Sequence, residues 1–354
     1  MKLIIKQKKK NEYVNTLRFN KVDEATGKTV STALICIRST RFAGKFIPTM
    51  TVADVSTLPE YRNRGLVREM LNVAHSKARE YGAYIALLHP FSFDFYRKFG
   101  YEKISDTVSA TFDAGELAAP SDTAELVPIN EKYYNDVLSL FREFSKNRNL
   151  MLDRYNISAF LRRSAETMLY FKDKILCGYI IFQKDTESRK ITVSEVVFKD
   201  KDALKDLLYG IRKHSEGFVK IEILDCEPIP EIYELLEGKK VTYDSRGDLA
   251  ARILDTEALL LAHEYPEVRG EFTVSVTDTL PTVSGIFKII YGGKKCTVER
   301  LTEDIEADVT MDASLLLRTV YGCDIPPDIE RETEAIKDFY RAFPKQTNGL
   351  YEHF

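Results

Sequence analysis

The sequence predicts a mixed α+β protein built from three consecutive units. Three observations lead there. Apolar runs rich in β-branched residues, STALICIRST (31–40) and PTMTVADVS (48–56), alternate with stretches of helical periodicity. A block beyond residue 125 repeats the order of helices, strand meander, helix and strand without repeating the letters. And 354 residues exceed the roughly 150–200 that a single core usually organises.

Taken in order, LIIKQ and YVNTLRFN read as strands ahead of STALICIRST. RFAGKFI carries Gly44 at a turn into PTMTVADVS. PEYRNRG follows as a loop, then a helix over 65–81, in which Leu66, Val67, Met70, Leu71 and Ala74 form one apolar stripe. YIALLH (84–89) is a short apolar strand. FSFDFYRKFG fits one or two helical turns stopped by Gly100, and ISDTVSATF (104–112) reads as the strand closing the unit. DAGELAAPSDTAE (113–125), with Pro120, is a linker.

The second unit offers helices at 131–144 and 157–164, strands near 168–172, 175–183 and 191–198, the helix KDALKDLLYGIRK (201–213) and the strand FVKIEIL (218–224). The third opens near Gly247 with LAARILDTEALLL as a helix. Strands FTVSVTD, SGIFKIIYGG and KCTVERL follow. Asp312 caps a helix that Gly322 stops, and ERETEAIKDFYRAF (330–343) is the last helix, before the tail PKQTNGLYEHF.

Composition excludes several classes. Net charge is −3, and the one dense basic run, KQKKK (6–10), has no interleaved aromatics, so nucleic acid is not an expected partner. Five cysteines (Cys36, Cys177, Cys226, Cys296 and Cys323) lie far apart, without metal-ligand spacing or a C-x-x-C pair, so no metal is expected. The absence of a signal peptide and of any apolar stretch of about 18 residues predicts a cytoplasmic protein with no membrane partner.

The chemistry-bearing stretch is VSTLPEYRNRGLVREML (55–71), a strand, a loop with two arginines and a glycine, and a helix start. The first amides of a helix lack intrahelical acceptors and its dipole favours an anion, so the arrangement suits a pyrophosphate. Gly65 lets the backbone approach closely, while Arg62 and Arg64 offer charge-assisted hydrogen bonds. The alternative, that PEYRNRG is only a polar helix entry, stays open at this point.

This stretch resembles the acetyl-CoA loop of the GCN5-related N-acetyltransferases (GNATs), Arg/Gln-x-x-Gly-x-Gly/Ala, through Arg62 and Gly65. Val67 stands where that pattern has Gly or Ala. With HPFSFDFYRKFGYE (89–102), the longer string resembles the enhanced intracellular survival (Eis-type) branch. The resemblance implies an abbreviated N-terminal acetyltransferase domain (1–118) and a degenerate central one that has lost the cofactor loop (119–246). A sterol-carrier-protein-like domain (247–354) completes the chain. It further implies acetyl-CoA as cofactor, an amine-bearing acceptor, direct attack through a tetrahedral intermediate, and a homo-oligomer, hexameric in relatives. A non-catalytic acyl-CoA-binding sensor or scaffold is the alternative reading.

By the same resemblance, the cofactor contacts are Val55, Ser56, Thr57, Arg62, Asn63, Arg64, Gly65, Leu66 and Val67. Tyr96 donates a proton toward the leaving thiolate, and the carboxylate of Phe354 returns to orient the amine. Tyr101 is assigned to packing. Asp54 faces either an ammonium-bearing acceptor or solvent, and His89 is either a relay or a core histidine. Phe91 joins them on the acceptor side. His353 stands where relatives can carry an acid. The two helices that wall the acceptor site of a full acetyltransferase domain find no room before STALICIRST.

Overall fold

The computed structural model describes residues 1–10, 14–117, 126–154, 166–214, 216–224, 229–293, 295–303, 305–323, 333–344, 346 and 348. The strands of the first half are β1 Lys2–Lys10, β2 Asn15–Val22, β3 Thr29–Phe42, β4 Lys45–Thr57, β5 Ile85–Leu88, β6 Glu102–Asp113, β7 Leu126–Pro128 and β8 Glu166–Lys172. They continue as β9 Ile175–Asp185, β10 Lys190–Phe198, β11 Lys220–Ile223, β12 Val241–Ile253, β13 Gly270–Thr277, β14 Gly285–Gly292, β15 Lys295–Leu301 and β16 Val309–Asp312. Among the described residues the α-helices are α1 Leu66–Glu80, α2 Phe93–Arg97, α3 Tyr134–Phe144, α4 Lys201–Lys213, α5 Pro230–Leu236, α6 Thr256–Ala262, α7 Ala313–Val320 and α8 Glu334–Ala342. The helix expected at 157–164 lies outside the described residues, as do Tyr351, His353 and Phe354.

The chain divides into two compact units, the first formed by Met1–Ser105 together with Asp248–Thr347, the second by Asp106–Gly247. In the first unit β1 to β4 form an antiparallel ladder, β5 runs parallel to β4, and β12 pairs antiparallel with β5. The β3–β4 hairpin closes Phe42 on Lys45 through Ala43 (φ 47°) and Gly44 (φ 74°). Two left-handed residues give the turn the twist of its strands. Leu17, Phe19, Ala33, Ile35, Met50 and Val52 share one core with Met70, Leu71 and Ala74 of α1, so the stripe read from the sequence is the face that α1 buries. The same unit holds a second sheet, ordered β15-β14-β13-β16, with β13 and β16 parallel. Phe272 of β13 meets Phe339 of α8 edge-on at 5.3 Å.

The structure corrects two readings. LAARI is not helix: it ends β12, with Arg252 opposite Ala86 and Ala250 opposite Leu88. The helix starts only at Thr256, where the Asp255 carboxylate accepts from the Ala258 amide. Two consecutive alanines and an arginine imitate a helical period; pairing with β5 overrides it. ISDTVSATF is a strand, but its partner over Ala110–Asp113 is β11.

In the second unit β7 to β10 form an antiparallel meander, and β11 runs parallel to β10. This repeats a detail of the first unit. The β4–β5 pairing ends at Val52 and Leu88, after which β4 runs on alone through Thr57. The β10–β11 pairing ends at Val193 and Ile223, after which β10 runs on through Phe198. Each long strand bulges just past the parting, between the Ala53 and Ser56 pairings in β4 and between Val193 and Glu195 in β10. Bulges bend a strand away from its neighbour, so each unit holds a parted strand pair.

Candidate active site

The parting of β4 and β5 makes the site. Asp54 sits in the bulge with φ 49°, a left-handed conformation that a short polar side chain tolerates. Beyond it, Val55 completes the bulge and Ser56 and Thr57 keep β3 on one edge, with no strand on the other among the described residues. Ser31 ties this free-edged end down. Its Oγ donates to the Ser56 carbonyl at 2.8 Å and lies 2.7 Å from Thr57 Oγ1. The Asp54 carboxylate pairs with Arg18 at 3.0 Å, its side chain 60% exposed.

Next comes the loop that enters α1. Pro59–Tyr61 form a 3-10 turn, and the Tyr61 hydroxyl donates to Asp23 at 2.8 Å. Asn63 (φ 60°) and Gly65 (φ 73°) take left-handed conformations, and a Cβ on Gly65 would meet nothing within 4 Å. Gly65 is thus required by backbone angle, and open space lies over it. It is the N-cap of α1 and gives no side-chain cap bond, so the amides of Leu66 and Val67 keep their outward donors. The arginines fold back on the loop. Arg62 Nε donates to the Thr57 carbonyl at 3.3 Å, and Arg64 donates to the Glu60 carbonyl at 2.8 Å with its guanidinium 4.9 Å from the Tyr61 ring centre. Both remain exposed. Beneath, the buried Lys21 of β2 pairs with Glu69 in the first turn of α1.

β5 delivers the chain to His89, Pro90 and the aromatic helix α2. His89 is half-buried, while Phe91 is 71% exposed and packs on Phe95 at 5.0 Å and Tyr96 at 5.4 Å. Ser92 caps α2 by accepting from the Phe95 amide. Tyr96 is buried, its hydroxyl takes no hydrogen-bond partner among the described residues, and burial pushes its pKa up to about 12. Tyr101 differs. It is wholly buried, its hydroxyl is 3.0 Å from His75 Nε2, and burial raises its pKa further still. His75 is in turn pushed down to about 3, by burial first and then by the Arg252 charge.

The structure therefore collects Asp54, Val55–Thr57, Arg62–Val67, His89, Phe91 and Tyr96 on the elements around one parting in the first unit. Sequence reasoning did not find Arg18, Ser31, Lys21, His75 or Arg252. Only the inward alternation of β2, which puts Lys21 in register with buried Leu17 and Phe19, carried a signal.

In the second unit the stretch of β10 past the corresponding parting carries a buried ion pair. Glu195, just past the β10 bulge, is buried with Arg154 and accepts from the Tyr179 hydroxyl at 2.5 Å. The start of α4 is capped by Asp200, which accepts from the Ala203 amide at 2.9 Å, putting a carboxylate where an anion would sit. A cavity of about 990 Å³ lies nearby, lined by Phe144, Arg148, Phe171, Phe198, Lys201 and Glu231. Among the described residues no three His, Cys, Asp or Glu side chains are grouped to hold a metal. Among the same residues no helix is long and apolar enough to cross a membrane.

A family comparison now bears on the first unit. Residues 5–104 match the acetyltransferase (GNAT) domain. The matched GNAT stretch runs from β1 to the start of β6 and contains the whole parted site. No curated protein matches the chain. Among solved structures, a GCN5-related N-acetyltransferase from Anabaena variabilis superposes with a TM-score of 0.82 at 19% identity, covering 96% of this chain and 89% of that one. A protein of unknown function from Enterococcus faecalis, described as a probable N-acyltransferase, gives 0.80 at 16%, covering 97% and 90%. Eis1 from Mycobacterium abscessus gives 0.74 at 16%, covering 95% and 90%. At these identities the likeness establishes the fold, which this chain shares with those proteins over nearly its whole length.

Proposed function

We propose that the protein is an acetyl-CoA-dependent N-acetyltransferase of the Eis type, acting on a primary amine of a small molecule or peptide. The observation that carries this reading is the parted β4–β5 pair, with a bulge at Asp54, a glycine-opened helix start at Gly65 and a buried tyrosine at Tyr96. The pantetheine arm would lie along the free edge of Val55–Thr57, the pyrophosphate over the Arg62–Val67 loop, and the thioester toward Tyr96.

The chemistry balances within this arrangement. The neutral amine attacks the thioester carbon, a C–N bond forms and the C–S bond breaks. One amine proton is lost and one proton ends on the coenzyme A sulfur. A tyrosine held near 12 stays protonated at neutral pH and serves as a standing hydrogen-bond donor to the developing thiolate. A thiol's ordinary value is about 8.5, so the tyrosine's part is chiefly stabilisation of that charge, with the amine's own proton closing the balance. In this reading the carboxylate of Phe354, beside His353, orients the acceptor ammonium, and Asp54, His89 and Phe91 line the acceptor side.

We assign residues 1–118, 119–246 and 247–354 to an abbreviated acetyltransferase domain, a degenerate one and a sterol-carrier-like one, in a cytoplasmic homo-oligomer. The Asp200 cap and the buried Arg154–Glu195 pair support a central part without cofactor. The test is thiol release from acetyl-CoA over a panel of amines. Turnover with at least one amine, impaired by a C-terminal extension and not by an N-terminal one, supports the reading. Tight acetyl-CoA binding with no turnover on any amine replaces it with a non-catalytic acyl-CoA sensor.

A further inference from the structure

We infer that Arg252 is a positioning residue for the transfer chemistry, clamping the end of the helix that carries Tyr96. The segment supplying it, residues 248–347, would then belong to the catalytic machinery of the first unit. This inference rests on the acetyl-transfer reading.

The need for a clamp follows from α2 itself. It spans only Phe93–Arg97, far below the length at which a helix holds its own shape. Its end is folded tightly on one residue, since the amides of Phe99 and Tyr101 both donate to the Tyr96 carbonyl, at 2.9 and 3.3 Å. The Phe99 carbonyl that follows is taken by the Arg252 guanidinium. The fit is close. Gly100 has φ 77°, and a Cβ built on it would stand 2.9 Å from Arg252 Cζ, so the guanidinium lies directly against the glycine backbone. Asp278 neutralises the charge at 2.8 Å, with side chains 3% and 8% exposed, and Thr279 Oγ1 accepts a further bond at 3.3 Å. A buried ion pair is held in one geometry, because losing either partner strands the other charge in an apolar site.

Other groups of the same segment act on the same stretch. Ala250 and Leu254, flanking Arg252, share one apolar core with Tyr96, Phe99 and Tyr101. Arg318 donates to the Lys103 carbonyl at 2.6 Å, and the Cys323 thiol donates to the Ile104 carbonyl at 3.1 Å. Residues 99–104 thus have three carbonyls held by side chains of residues 252–323. On the other side, the Tyr101 hydroxyl meets His75 and the Arg68 guanidinium lies 5.1 Å from the Phe99 ring centre. Among the described residues the Tyr96 hydroxyl has no hydrogen-bond partner, so its position follows from the packing of its ring on Phe91, Phe95, Phe99 and Tyr101 and from these restraints on its helix.

The experiment compares wild type with Arg252→Met and Arg252→Lys in the full chain. It reads kcat, KM for acetyl-CoA, and amide hydrogen exchange over residues 93–104. Arg252→Met should lower kcat about 10²-fold, the scale of a displacement near 1 Å at a reacting group. KM should stay within about twofold, exchange over 93–104 should accelerate at least about tenfold, and Arg252→Lys should restore part of both. Unchanged kcat, or unchanged exchange in a folded variant, overturns the inference. If wild type turns over no amine, the transfer reading fails separately, and exchange over 93–104 alone decides the clamp. Should Arg252→Met fail to fold, Asp278→Asn carries the same readouts, with the same results supporting or overturning it.

Discussion

Replacing His75 by glutamine should make the first unit less sensitive to acid. The imidazole is buried in α1 against Tyr101, its Nδ1 has no partner among the described residues, and its pKa is pushed down to about 3 from the ordinary 6.5. The folded value is the lower one. Between the two, the unfolded chain binds a proton that the folded chain refuses, so stability falls as pH falls through that window. From pH 6.5 to 4.5 this spans about 2 units at about 1.4 kcal/mol each, or about 3 kcal/mol. Glutamine keeps a hydrogen-bond donor for the Tyr101 hydroxyl and does not titrate. The assay is urea unfolding of both proteins at pH 7.0, 5.5 and 4.5, followed by circular dichroism. The surface carboxylates, and His263, which burial holds near 4, titrate alike in both and cancel in the difference. Stability of the variant relative to wild type should rise by about 3 kcal/mol between pH 7.0 and 4.5. Parallel pH profiles would refute the reasoning, since His75 would then accept its proton while folded.

Three further outcomes follow from the geometry. Gly65→Ala places a Cβ in open space but forces a left-handed alanine, so it should cost about 1–2 kcal/mol and raise KM for acetyl-CoA, measured by unfolding and steady-state kinetics. Arg154→Met leaves Glu195 buried without its cation. It should destabilise the second unit by about 3–5 kcal/mol, seen as a shifted unfolding midpoint. Asp200→Ala removes the cap on α4 and should cost about 1 kcal/mol, with KM for acetyl-CoA unchanged.

Much of the site was legible because its signals are local. The stripe of α1, the need for glycine at position 65 and the aromatic run of α2 each depend on residues a few positions apart. The different places of Tyr96 and Tyr101 were legible too, since one lies within the short helix and the other beyond its stop. What stayed hidden was long-range. Arg252 reaches Phe99 across 153 positions, and no periodicity announces a bond of that kind. The strand character of LAARI was obscured for the same reason, because only β5 makes it a strand. The bulges in β4 and β10 were also unreadable, since an extra residue shows only against a partner strand. The repeat of element order was visible, but its sharpest sign, the matching strand partings, is a fact of register.

The most direct test of the account is a single-turnover measurement, with enzyme and acetyl-CoA mixed with an amine identified in the thiol-release panel and the acetylated product quantified by mass spectrometry. Wild type should form the acetyl amide, and Tyr96→Phe should form it about 10²-fold more slowly or worse, with acetyl-CoA affinity unchanged. Equal rates in the two proteins would contradict the central claim that the buried phenol of Tyr96 serves the leaving thiolate.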